Sequence, residues 1–319
     1  MLAAIFMQSS FQNLINMKAE WLFLHQQDSF DDEDLVNDLR QYPLHVYLIC
    51  RTPSVRLDNS KTVITEDKIS LTFYTQVADV RKELEIETVN NKHQPINKIE
   101  TEYPYNIVKA YKPDGSEHAM AKSHLLLKLL AFQQEKYFDE FDLEVLYIGQ
   151  AFGKDGSRIT VDRLKTHEKA QRIYFDTQQK FPDHEIWFLA LTFQPLLMTM
   201  FKPWGDVDPN LFESELEQQQ KLEETPVSFD QQITIAEAAL IKYFNTYQYN
   251  KEYLDFPSPE HKSYEVLYKL DFNSAGFEVT SKSIHTRLWS KDAAPSFFHY
   301  RSFFLHDETE RKSMFKWYE

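Results

Sequence analysis

Apolar residues recur along this chain with two different spacings. Residues 8–40 carry them at helical intervals, with Phe11, Leu14 and Ile15 on one face, and this predicts a helical start. From residue 44 to 111, short runs rich in β-branched and aromatic residues alternate with polar turns. We expect strands there, at residues 44–50, 68–77 and 106–111.

The second half of the chain mixes both spacings. Residues 125–132 could form a buried strand or part of a longer helix, because periodicity cannot separate the two in a short apolar run; composition favours the helix. Ser228 and Gln231 have the spacing of a capping box, which predicts a helix from there to about Phe244. Arg301 lies in an aromatic run that favours a half-buried strand over a base-stacking surface. Strands are expected at residues 143–149, 185–193, 264–272, 277–288 and 297–305.

Composition limits the class of protein. The 319-residue chain is 42% apolar and 15% aromatic, which excludes a disordered or fibrous protein. Its single cysteine, Cys50, excludes an intramolecular disulfide framework and a cysteine-based zinc site. The short apolar start has no basic region before it, and no apolar stretch is long enough to span a bilayer. We therefore expect a soluble, cytoplasmic protein without a membrane segment.

Charge is unevenly distributed along the chain. The net charge of −14 counts against simple nucleic-acid binding, because phosphates attract clustered Lys and Arg. Residues 150–172 nevertheless hold six basic and three acidic residues, so this window is positive within a negative chain. Residues 206–224 are strongly acidic and predict a solvated connection or a surface for a protein partner.

Glycine is rare and clustered. The chain has six glycines, and Gly149, Gly153 and Gly156 fall within eight positions of one another. Because glycine serves where the backbone takes a positive φ or passes close to another group, the cluster predicts a shaped loop after an apolar strand. In the helix expected next, Arg163 and His167 lie four residues apart on one face. These residue types are suited to handling a phosphate.

Glu237 lies in the middle of an apolar helical stripe, with Ile233 and Ile241 four residues to either side. A carboxylate at such a position requires a cation, a hydrogen-bond partner or an opening to solvent. Two interpretations stay open from position alone. Glu237 is either a metal ligand or one half of a structural ion pair with Arg163 or Arg158.

Three pieces of the sequence, taken in order, resemble the GIY-YIG endonuclease family. They are Tyr147-Ile148-Gly149, the run from Arg163-Leu164 to His167, and residues 236–244 leading to Asn250. The resemblance covers roughly residues 125–252. The family usually opens with a Gly-Ile-Tyr strand shortly before Tyr-Ile-Gly; no such tripeptide occurs here, and Tyr137 has the spacing without the glycine.

The resemblance implies a metal-dependent endonuclease that hydrolyses phosphodiester bonds. Glu237 would hold one divalent ion, Mg²⁺ or another such as Mn²⁺. Tyr147 or His167 would activate water. Arg163 would neutralise charge in the transition state, and Asn250 would help to shape the site. Without the resemblance, each of these residues has an ordinary structural interpretation, such as a core tyrosine, a surface arginine or a turn asparagine.

The implied partner is nucleic acid, DNA rather than RNA, in a setting such as restriction or phage defence. Lys154 and Arg158 flank the glycine loop and would contact phosphate, or be ordinary loop charges. A second hypothesis is a catalytically inactive nucleic-acid-binding module of the same fold. A third is a protein-interaction scaffold that uses the acidic residues 206–224.

The expected fold class is α+β. The resemblance implies a small antiparallel sheet with flanking helices, in which residues 125–132 would form a strand paired with residues 143–149. We expect three domains: a helical start followed by a β-rich domain at residues 1–120, the nuclease-like domain at 121–255, and a β-rich C-terminal extension at 256–319.

Overall fold

The computed structural model describes residues 11–39, 41–42, 44–151, 168–201 and 209–306. The strands in these ranges are β1 (Phe11–His25), β2 (Val46–Pro53), β3 (Val55–Leu57), β4 (Val63–Ile64), β5 (Lys68–Val77), β6 (Val80–Val89), β7 (Lys98–Glu100), β8 (Ile107–Tyr111), β9 (Glu117–Lys122), β10 (Leu143–Gln150), β11 (His184–Phe201), β12 (Ser274–Thr280), β13 (Leu288–Trp289) and β14 (Phe298–Phe304).

The helices in the same ranges are α1 (Glu33–Leu39), α2 (Ser123–Gln133), α3 (Glu168–Lys180), α4 (Pro209–Glu224), α5 (Phe229–Phe244) and α6 (Val266–Lys269). Among the residues that the structure describes, no helix has the length and apolar character needed to cross a membrane.

Seven strands form the main sheet, in the order β13-β10-β2-β11-β1-β12-β14. Neighbouring strands run antiparallel, except that β1 is parallel to β12 and β10 is parallel to β13. The sheet takes strands from all three segments that were expected to be domains. Together with its helices it confirms the α+β class.

The main sheet is covered on both faces. Along β2, Val46 and Leu48 belong to one buried cluster, whereas Tyr47 and Ile49 belong to another. This is the alternation expected of a strand, because successive side chains point to opposite faces. The face of Val46 packs against α5, and the face of Tyr47 packs against α3.

The helix α5 begins at the predicted capping box. The backbone N–H of Ser228 donates to Oε1 of Gln231 over 3.1 Å, which satisfies a donor that the helix start would otherwise leave open. Every side chain from Ile233 to Ile241 is buried. The helix lies between the main sheet and an apolar segment that includes Tyr253.

Residues 54–142 form an insert between β2 and β10. In it, β5 pairs with β6 along one edge and with β3 and β4 along the other, while β7, β8 and β9 form a three-stranded sheet. Phe73, Leu84 and Leu127 of α2 share one buried cluster. The two strands that this insert separates in sequence are therefore direct neighbours in space.

One prediction at the start of the chain is wrong. Residues 11–25, expected to be helical, form β1, which lies between β11 and β12. A strand that is buried on both faces shows no clean alternation of apolar and polar residues, and its apolar positions can match a helical spacing. Within the described part of the predicted helix, Gln27–Asp31 forms a 3₁₀ helix and Glu33–Leu39 forms α1.

Residues 264–272 were also predicted incorrectly. They form short helical turns rather than a strand. Tyr264 and Leu267, three residues apart, are both buried in the cluster that includes α5, and a helical turn places such residues on one face. Residues 277–288 are a strand only at their two ends, in β12 and β13.

Most other predicted elements are confirmed. Residues 125–132 lie in α2, as composition favoured, and not in the strand that the resemblance implied. The described part of the acidic segment, from residue 209, is the helix α4. The confirmed strands correspond to predictions at residues 44–50, 68–77, 106–111, 143–149, 185–193 and 297–305.

The helix α2 places a buried lysine between the insert and the main sheet. Lys128 is 2% exposed, and its Nζ has no hydrogen-bond partner within the described residues. Glu185 attracts the ammonium. Its Oε1 accepts from Trp187 Nε1 over 2.8 Å and lies 3.2 Å from His124 Nδ1. Burial lowers the pKa of Lys128 to about 7.

We expect Lys128→Met to stabilise the protein by about 2 kcal/mol below pH 7. In that range the lysine is charged in both the folded and unfolded states, so the full desolvation cost opposes folding. As pH rises from about 7 towards the ordinary lysine pKa, the unfolded chain binds more protons, and wild-type stability increases. The gain from the substitution should therefore shrink towards pH 10. Urea unfolding at pH 6 and pH 9.5 measures this gain in the free energy of unfolding, with Lys136→Met at an exposed position as the control. Equal gains at both pH values would show that the charge of Lys128 is not the cause.

Candidate functional site

Two tyrosines lie side by side on adjacent strands of the main sheet. Tyr147 is on β10 and Tyr47 is on β2, and their ring centroids are 6.1 Å apart. Tyr47 is fully buried, while Tyr147 is partly exposed. Both belong to the layer between the sheet and α3. Burial keeps the two rings in a fixed relation to one another.

Gly149 makes room for this tyrosine pair. It lies opposite Tyr47 in the strand register. A Cβ atom on Gly149 would approach Tyr47 Oη to 2.6 Å and Tyr147 Cε1 to 2.8 Å, which are closer than non-bonded atoms tolerate. The glycine of Tyr-Ile-Gly is therefore required by the close approach of the two rings within strand β10.

Asn250 holds the same strand from its outer edge. Its Oδ1 accepts from the N–H of Ile148 over 3.1 Å, and its Nδ2 donates to the carbonyl of Ile148 over 2.7 Å. The hydroxyl of Thr246 donates to Oδ1 over 2.8 Å. Only Leu143 and Glu144 of β10 pair with β13, so an amide side chain takes the place of a strand farther along this edge. Asn250 is thus a buried positioning residue and not a simple turn asparagine.

The neighbouring residue connects this edge to α3. The Tyr249 hydroxyl donates to Oδ2 of Asp176 over 2.9 Å. Burial and this carboxylate together raise the pKa of Tyr249 to about 12, so its hydroxyl stays protonated and keeps the bond at neutral pH. A continuous set of contacts thereby runs from α3 through Tyr249 and Asn250 to the Tyr147 strand.

Glu237 is buried in the layer on the other side of the sheet. It is 6% exposed, and the helix α5 that carries it packs on the face opposite to the tyrosine pair. Burial is the main cause that raises the pKa of Tyr253, and the Glu237 carboxylate adds to the shift, which places the two side chains near one another. The predicted position in an apolar stripe is confirmed.

The carboxylate of Glu237 is a hard oxygen donor of the kind that Mg²⁺ prefers. No group of three or more His, Cys, Asp or Glu side chains is arranged to hold a metal ion in the described parts of the chain. Mg²⁺ usually keeps several water ligands and needs only one or two carboxylates from the protein. A divalent ion at Glu237 would have this carboxylate as its ligand and would complete its coordination with water.

Four further candidate site residues lie outside the described residues: Lys154, Arg158, Arg163 and His167. The loop glycines Gly153 and Gly156 lie outside the described residues as well. The description resumes at Glu168, the first residue of α3.

Tyr47 was not predicted as a site residue. The tyrosine at the family's spacing before Tyr147 is Tyr137, and its hydroxyl donates to the carbonyl of Glu85 inside the insert. The useful signal was the apolar strand around Tyr47, which ends where residues 54–142 begin. Spacing could not find it, because a long insert changes sequence distance without changing the strand pairing.

Comparison with known proteins gave no match to a family model, to a curated protein or to a solved structure.

Proposed function

We propose that this protein is a metal-dependent endonuclease of the GIY-YIG type, which hydrolyses phosphodiester bonds in DNA rather than RNA. The observation that carries the proposal is the pairing of the Tyr47 strand with the Tyr147-Ile148-Gly149 strand. The family usually opens with a Gly-Ile-Tyr strand before Tyr-Ile-Gly. Here the chain at the start of β2 has His45-Val46-Tyr47 instead, and β2 pairs directly with β10 although residues 54–142 separate the two strands in sequence.

The proposed roles follow the chemistry of each side chain. Tyr147 or His167 takes a proton from the attacking water, and Arg163 binds the phosphate with its planar fork. Lys154 and Arg158 contact neighbouring phosphates. A Mg²⁺ or Mn²⁺ ion bound at Glu237 would stabilise negative charge on the phosphate and the leaving oxygen.

The geometry adds one requirement to this proposal. Tyr147 and Glu237 belong to layers on opposite faces of the sheet, so one phosphate can reach both only around the outer edge of β10. Asn250 lies at that edge and bonds to Ile148, between the tyrosine and the glycine of the motif. We therefore place the reacting phosphate next to the edge that Asn250 holds.

The decisive experiment measures cutting of plasmid DNA, single-stranded DNA and RNA with Mg²⁺, with Mn²⁺ and with a chelator. We expect metal-dependent cutting that falls below detection in Glu237→Gln, because the amide keeps the shape of the side chain but loses its charge. Exposed Glu252→Gln is the matched control and should cut like the wild type. Cutting that survives in Glu237→Gln would indicate a contaminant and remove the proposal.

The same experiment separates the two other hypotheses. Nucleic acid that is bound but not cut under any condition would support the inactive binding module. An absence of both binding and cutting would support the scaffold, whose partner would meet the acidic helix α4. The proposed setting is restriction or phage defence in the cytoplasm.

A further inference from the structure

The strand β11 extends well beyond its neighbour in the main sheet. Its first half pairs with β2 as far as Leu191, which lies opposite Val46 at the start of β2. Its second half, to Phe201, pairs with β1 on one side only. Within the described residues, no strand pairs with the other edge of residues 194–201. This segment, which we call the free edge, presents unused backbone donors and acceptors.

The free edge is apolar and uncharged. Residues 194–201 contain no Asp, Glu, Lys or Arg. Four large apolar side chains along it are between 37% and 67% exposed: Leu196, Leu197, Met198 and Phe201. Exposed edge strands in soluble proteins usually carry charges, above all lysine, that prevent pairing with another chain. The free edge lacks this protection, apart from Pro195, which cannot donate a hydrogen bond.

Two exposed aromatic residues continue the same surface at its inner end. Trp21 is 58% exposed, and its ring lies 5.4 Å from that of Tyr42, which is 41% exposed. The backbone N–H of Trp21 donates to the hydroxyl of Thr192 over 3.1 Å, so the pair lies next to the point where the free edge starts. Trp, Tyr and Met are enriched in protein interfaces, and Trp and Tyr often dominate their binding energy.

We propose that the free edge pairs with the free edge of a second copy of this chain, so that the two main sheets join antiparallel across a two-fold axis. An antiparallel edge is complementary to itself under such an axis, since each copy supplies the same donors and acceptors in reverse order. Pairing runs from Leu196 to Met200, beyond the proline, with Met198 opposite its own copy. In this dimer the exposed Trp21 and Tyr42 flank the new strand pair.

Charge repulsion between two copies is weakest at this place. Each copy carries a net charge of −14, so two copies repel one another over most of their surfaces. An uncharged strand with exposed apolar side chains is where that repulsion is weakest and apolar burial is greatest. The dimer does not depend on the proposed nuclease activity; with that activity, it would bring two sites to one DNA molecule.

The mass of the protein in solution tests the dimer. We expect light scattering coupled to gel filtration to give twice the chain mass of 38.0 kDa. Leu197→Arg, at an exposed position, should weaken self-association by at least about 100-fold, because it places two like charges at diagonally neighbouring positions on one face of the paired strands. Val89→Arg is the matched control, since Val89 is an apolar strand residue that is 79% exposed in the insert, and it should stay dimeric.

Cysteine crosslinking locates the interface independently. The natural Cys50 is fully buried, so a cysteine introduced at positions 197 to 200 is the reactive thiol of the protein. Under mild oxidation, variants such as Met198→Cys should form a disulfide-linked dimer on a denaturing gel, and Val89→Cys should not. The proposal is overturned by a monomeric wild type at high concentration, by a dimer that Leu197→Arg leaves intact, or by crosslinking that is no greater at 197 to 200 than at position 89.

Discussion

Replacing Asn250 with leucine is expected to lower the free energy of unfolding by about 3–5 kcal/mol. Leucine has a similar shape but cannot bond to the N–H and carbonyl of Ile148 or to the hydroxyl of Thr246. All three groups are then left buried without their partner, and each such loss costs roughly 1–3 kcal/mol before the structure relaxes. Urea unfolding with a spectroscopic probe measures the difference.

Asn91→Ala is the control for this prediction. Asn91 is exposed, and its side chain accepts one bond from the backbone N–H of His93. Its removal should change stability by less than about 0.5 kcal/mol. A loss below about 1 kcal/mol in Asn250→Leu would show that water can replace the amide at the edge of β10, and Asn250 would then not be needed to hold the strand.

Local sequence patterns predicted the helices and strands that depend on residues close together in the chain. The capping box located the start of α5, and β-branched runs located β2, β5 and β10, because turns and alternation are encoded within a few residues. The structure of β1 could not be predicted in this way. It is buried between β11 and β12, and only that distant pairing distinguishes its apolar positions from those of a helix.

The same distinction between local patterns and distant contacts applies to the candidate site. The sequence indicated the buried position of Glu237, since this depends on a local pattern. It did not indicate that Asn250 bonds to the backbone of Ile148, a contact between residues far apart in the chain. Nor did it identify Tyr47, because the insert of residues 54–142 separates the two paired strands. The pairing of strands across an insert depends on the topology of the fold, and local patterns in a single sequence do not show it.

Gly149→Ala is expected to reduce cleavage by about 100-fold while the protein stays folded. The new methyl group would meet Tyr47 Oη at 2.6 Å and Tyr147 Cε1 at 2.8 Å, so both rings must move. These are the ends of side chains, which can shift at a cost of about 1–3 kcal/mol. A displacement of about 1 Å at a catalytic group is enough to lose two orders of magnitude in rate. Stability and cleavage should therefore be measured on the same preparation.

Gly276→Ala separates loss of the site from loss of the fold. A Cβ at Gly276 would lie 2.4 Å from the backbone carbonyl oxygen of Arg301 on β14, and backbone within a paired strand cannot shift as a ring can. This variant should lose more stability than Gly149→Ala, yet its folded fraction should cleave at the wild-type rate, because the change is distant in the sheet from β10. If Gly149→Ala cleaves as fast as the wild type, Tyr147 does not act on the substrate. If both variants lose cleavage only in proportion to their unfolded fraction, Gly149 serves the fold alone.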